Sequence, residues 1–182
     1  MADIIHSRGQ TPATHSAEGP QQYLTFTLGG EMFALAILNV KEIIEFGTVT
    51  EIPMIPAFIR GVINLRGAVV PVIDLSCRFG GQTTQVGRRT CIVIVELQQD
   101  DQQYDIGVMV DAVSEVLEIG RADIEPPPAF GARIRTDFIA GMGKVNGKFV
   151  IILNIARVLS VEEIALLAQA SESDPGSTVV TN

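Results

Sequence analysis

Apolar and polar positions alternate with a period of two along most of the chain, and turn residues interrupt the alternation at intervals typical of β-hairpins. Tyr23 to Leu28 sets Tyr, Thr and Thr against Leu, Phe and Leu. It then meets Gly29-Gly30, which tolerate the positive φ of a tight turn, before Met32 to Ile37 resumes the apolar run. Asn64 to Leu75 has Arg66-Gly67 between two β-branched runs, and Asn146-Gly147 repeats the arrangement with a strong two-residue turn signal. Cys91 to Leu97 (CIVIVEL) is the continuous apolar run of a buried strand, and Tyr104 to Val110 is predicted to pair with it across Asp100-Asp101. Helical periodicity is confined to the end. Ser160-Val161-Glu162-Glu163 fits a capping box followed by Ile164, Leu166 and Leu167, which predicts a helix over 160–170. Short helical turns are predicted at Pro56 to Val62 and after Ile155.

The pattern also repeats. Phe58 to Leu75 (FIRGVINLRGAVVPVIDL) returns in altered form as Phe138 to Ile155 (FIAGMGKVNGKFVIILNI). Phe58, Ile59, Gly61, Gly67 and Val70 fall on Phe138, Ile139, Gly141, Gly147 and Val150, and Asp74 falls opposite Asn154. A second echo aligns Phe33 to Glu45 (FALAILNVKEIIE) with Ile106 to Glu118 (IGVMVDAVSEVLE), placing Val40 on Val113, Glu42 on Glu115 and Glu45 on Glu118. Each half carries a Pro-containing connector, Pro56-Ala57-Phe58 and Pro128-Ala129-Phe130. Two echoes in the same order predict a duplicated small β module.

Composition narrows the class without changing this picture. With 182 residues, 47% of them hydrophobic, no Trp and a net charge of −8, the chain reads as a globular body of one domain or two small ones. The acidic balance lacks the basic stripe that releases counterions from nucleic acid, so nucleic-acid binding is not expected. No run approaches the apolar length of a membrane span, and MADIIHSRGQ lacks the apolar centre of a secretory signal, so a cytoplasmic protein is expected. Cys77 and Cys91 are expected to be small, partly buried residues rather than a disulfide. Residues 1–20 and 171–182, rich in Ser, Thr, Gly, Pro and charge, are expected to be a flexible leader and tail around a body at 21–170.

Catalytic chemistry has little to draw on. The two histidines, His6 and His15, lie in the leader, which leaves Ser–His and Cys–His mechanisms without a base in the body. No phosphate-cradling glycine motif has the required spacing, and two dispersed cysteines do not make a zinc site. The acid pairs Glu42 with Glu45 and Asp100 with Asp101 read as outward strand residues and a turn. A non-enzyme with no cofactor and no metal is expected.

The residues that decide between binding modules are YLTFTLGGEMFALAILNVKEI, IPMIPAFIRGVINLRGAVVPVIDL, TCIVIVEL, IGVMVDAVSEVLEI, IEPPPAF, FIAGMGKVNGKFVIILNIARVL and EEIALL. Together they resemble the CheW family of chemotaxis coupling proteins across all but the tails. INLRG followed by VVPVIDL is the specific combination. The resemblance implies an all-β fold of two five-stranded SH3-like barrels, divided at roughly 21–85 and 86–158, with a few short helices and the C-terminal helix. It also implies a non-catalytic adaptor that links cytoplasmic tips of methyl-accepting chemoreceptors to the regulatory domain of a CheA-like histidine kinase, and alternates with kinase domains or other CheW-like subunits in array rings. Such a protein reaches the membrane through its partners and does not insert. An adaptor of a different receptor–kinase pathway, such as twitching or surface sensing, is the alternative within the family. A small-ligand-binding barrel protein, using a closed polar cavity at the seam, is the alternative outside it.

Carried over by position, the family's receptor-facing groove maps onto Val40, Glu42, Ile43, Gly61, Arg66, Val113 and Val116. A helical receptor tip suits an apolar groove with charges at its rim, and the planar fork of Arg66 suits carboxylates or carbonyls. Two readings compete at each position. Val40, Ile43, Val113 and Val116 also suit barrel core, Gly61 a backbone bend, and Arg66 a solvated turn.

Overall fold

The computed structural model describes residues 19–127 and 134–160. The predicted helix from 161 onward, the Pro128-Ala129-Phe130 connector and both tails lie outside the described residues, apart from Gly19 and Pro20. Among the described residues, eleven strands and two single-turn α-helices follow one another: β1 (Gln21–Leu28), β2 (Glu31–Ala36), β3 (Val40–Glu45), β4 (Ile59–Leu65), β5 (Ala68–Asp74), α1 (Leu75–Arg78), β6 (Cys91–Gln99), β7 (Gln102–Val110), β8 (Ala112–Ile119), β9 (Ile124–Glu125), β10 (Ile139–Val145), β11 (Lys148–Leu153) and α2 (Ile155–Val158). All the predicted hairpins form. The turn at Pro56 is a single backbone bond from the Ile59 N–H to the Pro56 carbonyl, after which the chain is already in β4. The turn after Ile155 is α2, capped by Asn154.

The strands form two sheets. One has the order β8-β1-β2-β11-β10-β9, with β9 only two residues long, and the other β3-β6-β7-β5-β4. They are the two SH3-like barrels of the expected all-β fold, one with the expected five strands and the other with a sixth, because the short β9 adds to the edge of β10. Their boundaries, however, do not fall at residue 85. The β1–β2 hairpin belongs with β8 to β11, and the β6–β7 hairpin belongs with β3 to β5. Local patterning could not reveal this, because the deciding contacts are parallel pairings between distant strands, β2 with β11 and β5 with β7.

Burial explains the apolar runs. Along β6, Ile92 and Ile94 face the lumen of their own barrel with Val70, Val72 and Met109, while Val93, Val95 and Leu97 face the seam between the sheets. Along β1 and β2, Tyr23 and Ala34 face the other lumen, and Leu24, Phe26, Leu28, Phe33 and Leu35 face the seam. Strands buried on both faces lose their period-two signature, as CIVIVEL does. The seam cluster is continuous from β1 to α2 and ends in a stack of rings, Phe26 on Phe33, Phe33 on Phe79 and Phe79 beside Phe138. Arg78 lies 5.0 Å from the Phe58 ring and 4.9 Å from Phe138, and its Nε–H donates to the Val158 carbonyl at 2.9 Å. One guanidinium thus touches the same aromatic residue of both repeats.

The duplication extends to hydrogen-bond register. β4–β5 bulges between Ile59 and Gly61, and β10–β11 bulges between Ile139 and Gly141. Asp74 N–H donates to the Phe58 carbonyl and Asn154 N–H to that of Phe138, each at 2.7 Å, so Phe138 is the structural partner of Phe58. Val72 pairs with Gly107 in one sheet, as Ile152 does with Ala34 in the other.

Candidate functional site

β3 and the tip of the β4–β5 hairpin meet on one side of their barrel. A bulge between Val40 and Glu42 shifts the strand so that Lys41, Ile43 and Glu45 point outward while Val40, Glu42 and Ile44 are half-buried. This corrects the sequence reading of Glu42 as an outward strand acid. Arg66 closes the gap: its Nη2 donates to Glu42 Oε2 at 2.7 Å, with 74% of the Arg66 side chain exposed against 21% of Glu42. Glu42 Oε1 is buried and accepts no bond among the described residues. Beside this pair, Lys41 donates to Asp105 Oδ2 at 2.7 Å. That bond and the nearby acids Asp105, Glu96 and Glu42 raise the lysine's pKa.

Local geometry accounts for Arg66 being where it is. The hairpin turn holds Arg66 at φ 52° and Gly67 at φ 86°, while Asn64 Oδ1 accepts the Gly67 N–H at 2.9 Å. The matching turn has Asn146 at φ 51° and Gly147 at φ 76°. Asn tolerates this left-handed region better than Arg does, so the first hairpin carries a less comfortable residue than its twin.

The seven candidate positions divide between the two barrels. Val40, Glu42, Ile43, Gly61 and Arg66 stand on one sheet, and Val113 and Val116 on the other. Val40 pairs with Val95 and Val113 with Phe26, both seam residues, and both valines are partly buried against the seam cluster. Ile43 and Val116 occupy matched exposed positions, 43% and 48% accessible. Gly61 is buried at φ 146°, and a Cβ there would stand 2.1 Å from the Thr50 carbonyl oxygen. That contact with the connector explains the glycine by backbone approach alone. In the second module Glu115 takes the place of Glu42, but Asn146 takes that of Arg66. There the Thr25 hydroxyl donates to the Glu115 carbonyl at 2.7 Å and accepts its N–H at 3.2 Å.

Sequence reasoning missed the Lys41–Asp105 pair and an apolar groove beside the seam. Val69, Pro71, Ile59, Ile73 and Ile106 line the groove, with Gln103, Tyr104 and Asp105 as its polar edge, and it encloses about 480 Å³. The alternation of Val69, Pro71 and Ile73 was a readable signal for a second apolar face. The groove is open and mostly apolar, unlike the closed polar cavity a small-ligand site would require. Cys77 and Cys91 are free thiols, and burial, with the nearby Asp74 charge, pushes the Cys77 thiol up. Among the described residues no three His, Cys, Asp or Glu side chains cluster as a metal site would need, and no helix is long and apolar enough to cross a membrane.

Comparison with known proteins supplies a context for these surfaces. Residues 22–163 match the CheW-like domain family. The chain is 37% identical over 153 residues to the chemotaxis protein CheW of Klebsiella aerogenes, covering 84% of this chain and 90% of that protein. It is 31% identical over 151 residues to the chemotaxis protein CheW of Rhizobium meliloti, covering 83% of this chain and 95% of that one. Among solved structures, the scaffolding protein TtCheW of Thermoanaerobacter tengcongensis is 39% identical and aligns with a TM-score of 0.68, over 76% of this chain and 87% of that one.

Proposed function

The chain belongs to the CheW family, and from that premise we propose that it is a non-catalytic adaptor coupling methyl-accepting chemoreceptors to the histidine kinase CheA in chemotaxis. The observation that carries the contact assignment is the Glu42–Arg66 pair beside exposed Ile43. A helical receptor tip presents an apolar stripe flanked by charges. A rim that pairs a mostly exposed guanidinium with a half-buried carboxylate offers a polar partner next to an apolar anchor, the arrangement used to hold an amphipathic helix in a groove. Arg66 brings a bidentate donor that can trade Glu42 for a partner carboxylate or carbonyl. Ile43, with Val40 behind it, supplies the anchor, and Val113 with Val116 supplies the matched anchor of the second barrel.

The protein would work on the cytoplasmic side, held at the membrane by its partners. The kinase's regulatory domain would take another flank, and further CheW-like subunits would extend the ring. Each contact need only be modest, because a lattice multiplies weak contacts through effective concentration. Arg66→Asn tests the assignment, since Asn already occupies the matched turn. In a reconstitution of receptor fragment, CheA and this protein, the variant should melt as the wild type does and lose receptor-dependent control of kinase autophosphorylation. Unchanged receptor capture and unchanged kinase control would overturn the assignment.

A further inference from the structure

We infer that the slot between β8 and β11 is a hairpin-acceptor site, which a second copy of this chain can fill with its own β1–β2 to give a strand-exchanged dimer. The β1–β2 hairpin has its strand neighbours in residues far along the chain, β8 on one side and β11 on the other, and pairs with no strand of the sheet that follows it directly. Its link to that sheet is one 3₁₀ turn, Ile37–Asn39, in which no residue is buried and Leu38 is 89% exposed. The residues flanking the turn, Ala36 and Val40, already have ψ values of 127° and 121°. Straightening three residues would therefore run β2 on toward β3 as one extended segment.

The two halves of the chain already exchange hairpins in this manner. β6–β7 of the second half completes the sheet of β3 to β5, as β1–β2 of the first half completes that of β8 to β11. The matched registers, Val40 with Val95 beside Val113 with Phe26, show that both slots accept a hairpin in the same geometry. Nothing in either slot distinguishes a hairpin of its own chain from the same hairpin of another copy, which is the condition for domain exchange. The hairpin also delivers Leu24, Phe26, Leu28, Phe33 and Leu35 to the seam, so a molecule with an empty slot exposes a large apolar surface and must refill it. Exchange would therefore proceed through extensive opening. It would be slow at rest, favoured by refolding at high protein concentration, and persistent on dilution.

The test uses the full chain carrying Cys77→Ser and Cys91→Ser, with Gln22→Cys and Glu118→Cys at exposed, directly opposed positions of β1 and β8. After refolding at high concentration, a species of doubled mass should appear and, on oxidation, run as a covalent dimer on a non-reducing gel. The monomer fraction should form its disulfide within one chain. Deleting Leu38, which leaves the link too short for the closed arrangement, should move the population toward the dimer. Monomer alone from both proteins, or a dimer whose disulfides all lie within single chains, would overturn the inference.

Discussion

At position 66 the needs of the turn and those of the rim pull in different directions. The turn demands a left-handed residue, a conformation that costs a non-Gly, non-Asn side chain on the order of 1 kcal/mol. The ion pair with Glu42 returns only about 0.2–1 kcal/mol, because the guanidinium is mostly in water. Arg66→Asn should thus leave stability within about 1 kcal/mol of the wild type. Arg66→Val, a β-branched residue in the same conformation, should lower it by about 1–3 kcal/mol, measured by urea unfolding. Gly61 behaves differently, since both its φ and the Thr50 backbone exclude a side chain. Gly61→Ala should cost about 2–5 kcal/mol and melt the barrel early, so any loss of coupling by that variant reports folding. Arg66 and Glu42 both stood among the positions that the family resemblance implied, and the turn dipeptide also marks Arg66 in the sequence. Their pairing was not readable, because the bulge that turns Glu42 inward has no local signature.

Among the elements, α1 and α2 show how one repeat acquired what the other lacks. Both begin after a strand with a side-chain cap, Asp74 accepting the Cys77 N–H at 3.3 Å and Asn154 accepting the Arg157 N–H at 3.4 Å. Asp74 has two further partners, the Thr84 N–H and the Thr84 hydroxyl, each at 2.7 Å, and it is fully buried. It therefore staples the segment after α1 back onto its barrel. In Asp74→Asn, whichever way the amide is turned, its NH₂ meets a backbone N–H. The expected loss is about 1–3 kcal/mol in chemical denaturation. Asn154→Asp, whose cap serves one N–H, should stay within about 0.5 kcal/mol. Hairpins were legible because each is closed by neighbours in the sequence, whereas α1 was hidden in a run that reads as uninterrupted strand up to Leu75.

For the molecule as a whole, the sequence exposed the repeat and left its wiring concealed. The aligned segments already contained the answer, since Val72 with Gly107 and Ile152 with Ala34 are equivalent pairs, but a parallel pairing between remote strands leaves no periodic trace in either one. The wiring has a measurable result. If the exposed Arg88–Arg89 bond is cut, the two pieces should stay together on a sizing column and separate only on unfolding, because each barrel contains strands from both.

The crossing of β1–β2 into the later barrel also bears on synthesis. When that hairpin leaves the ribosome, its sheet neighbours have not been made, and β11 follows roughly a hundred residues later, about 5–20 s at ordinary translation speeds. Throughout that interval five large apolar side chains lack their destination. The nascent polypeptide is then a natural client for holding chaperones, and slowing elongation between Ala36 and Lys148 should increase its losses to aggregation.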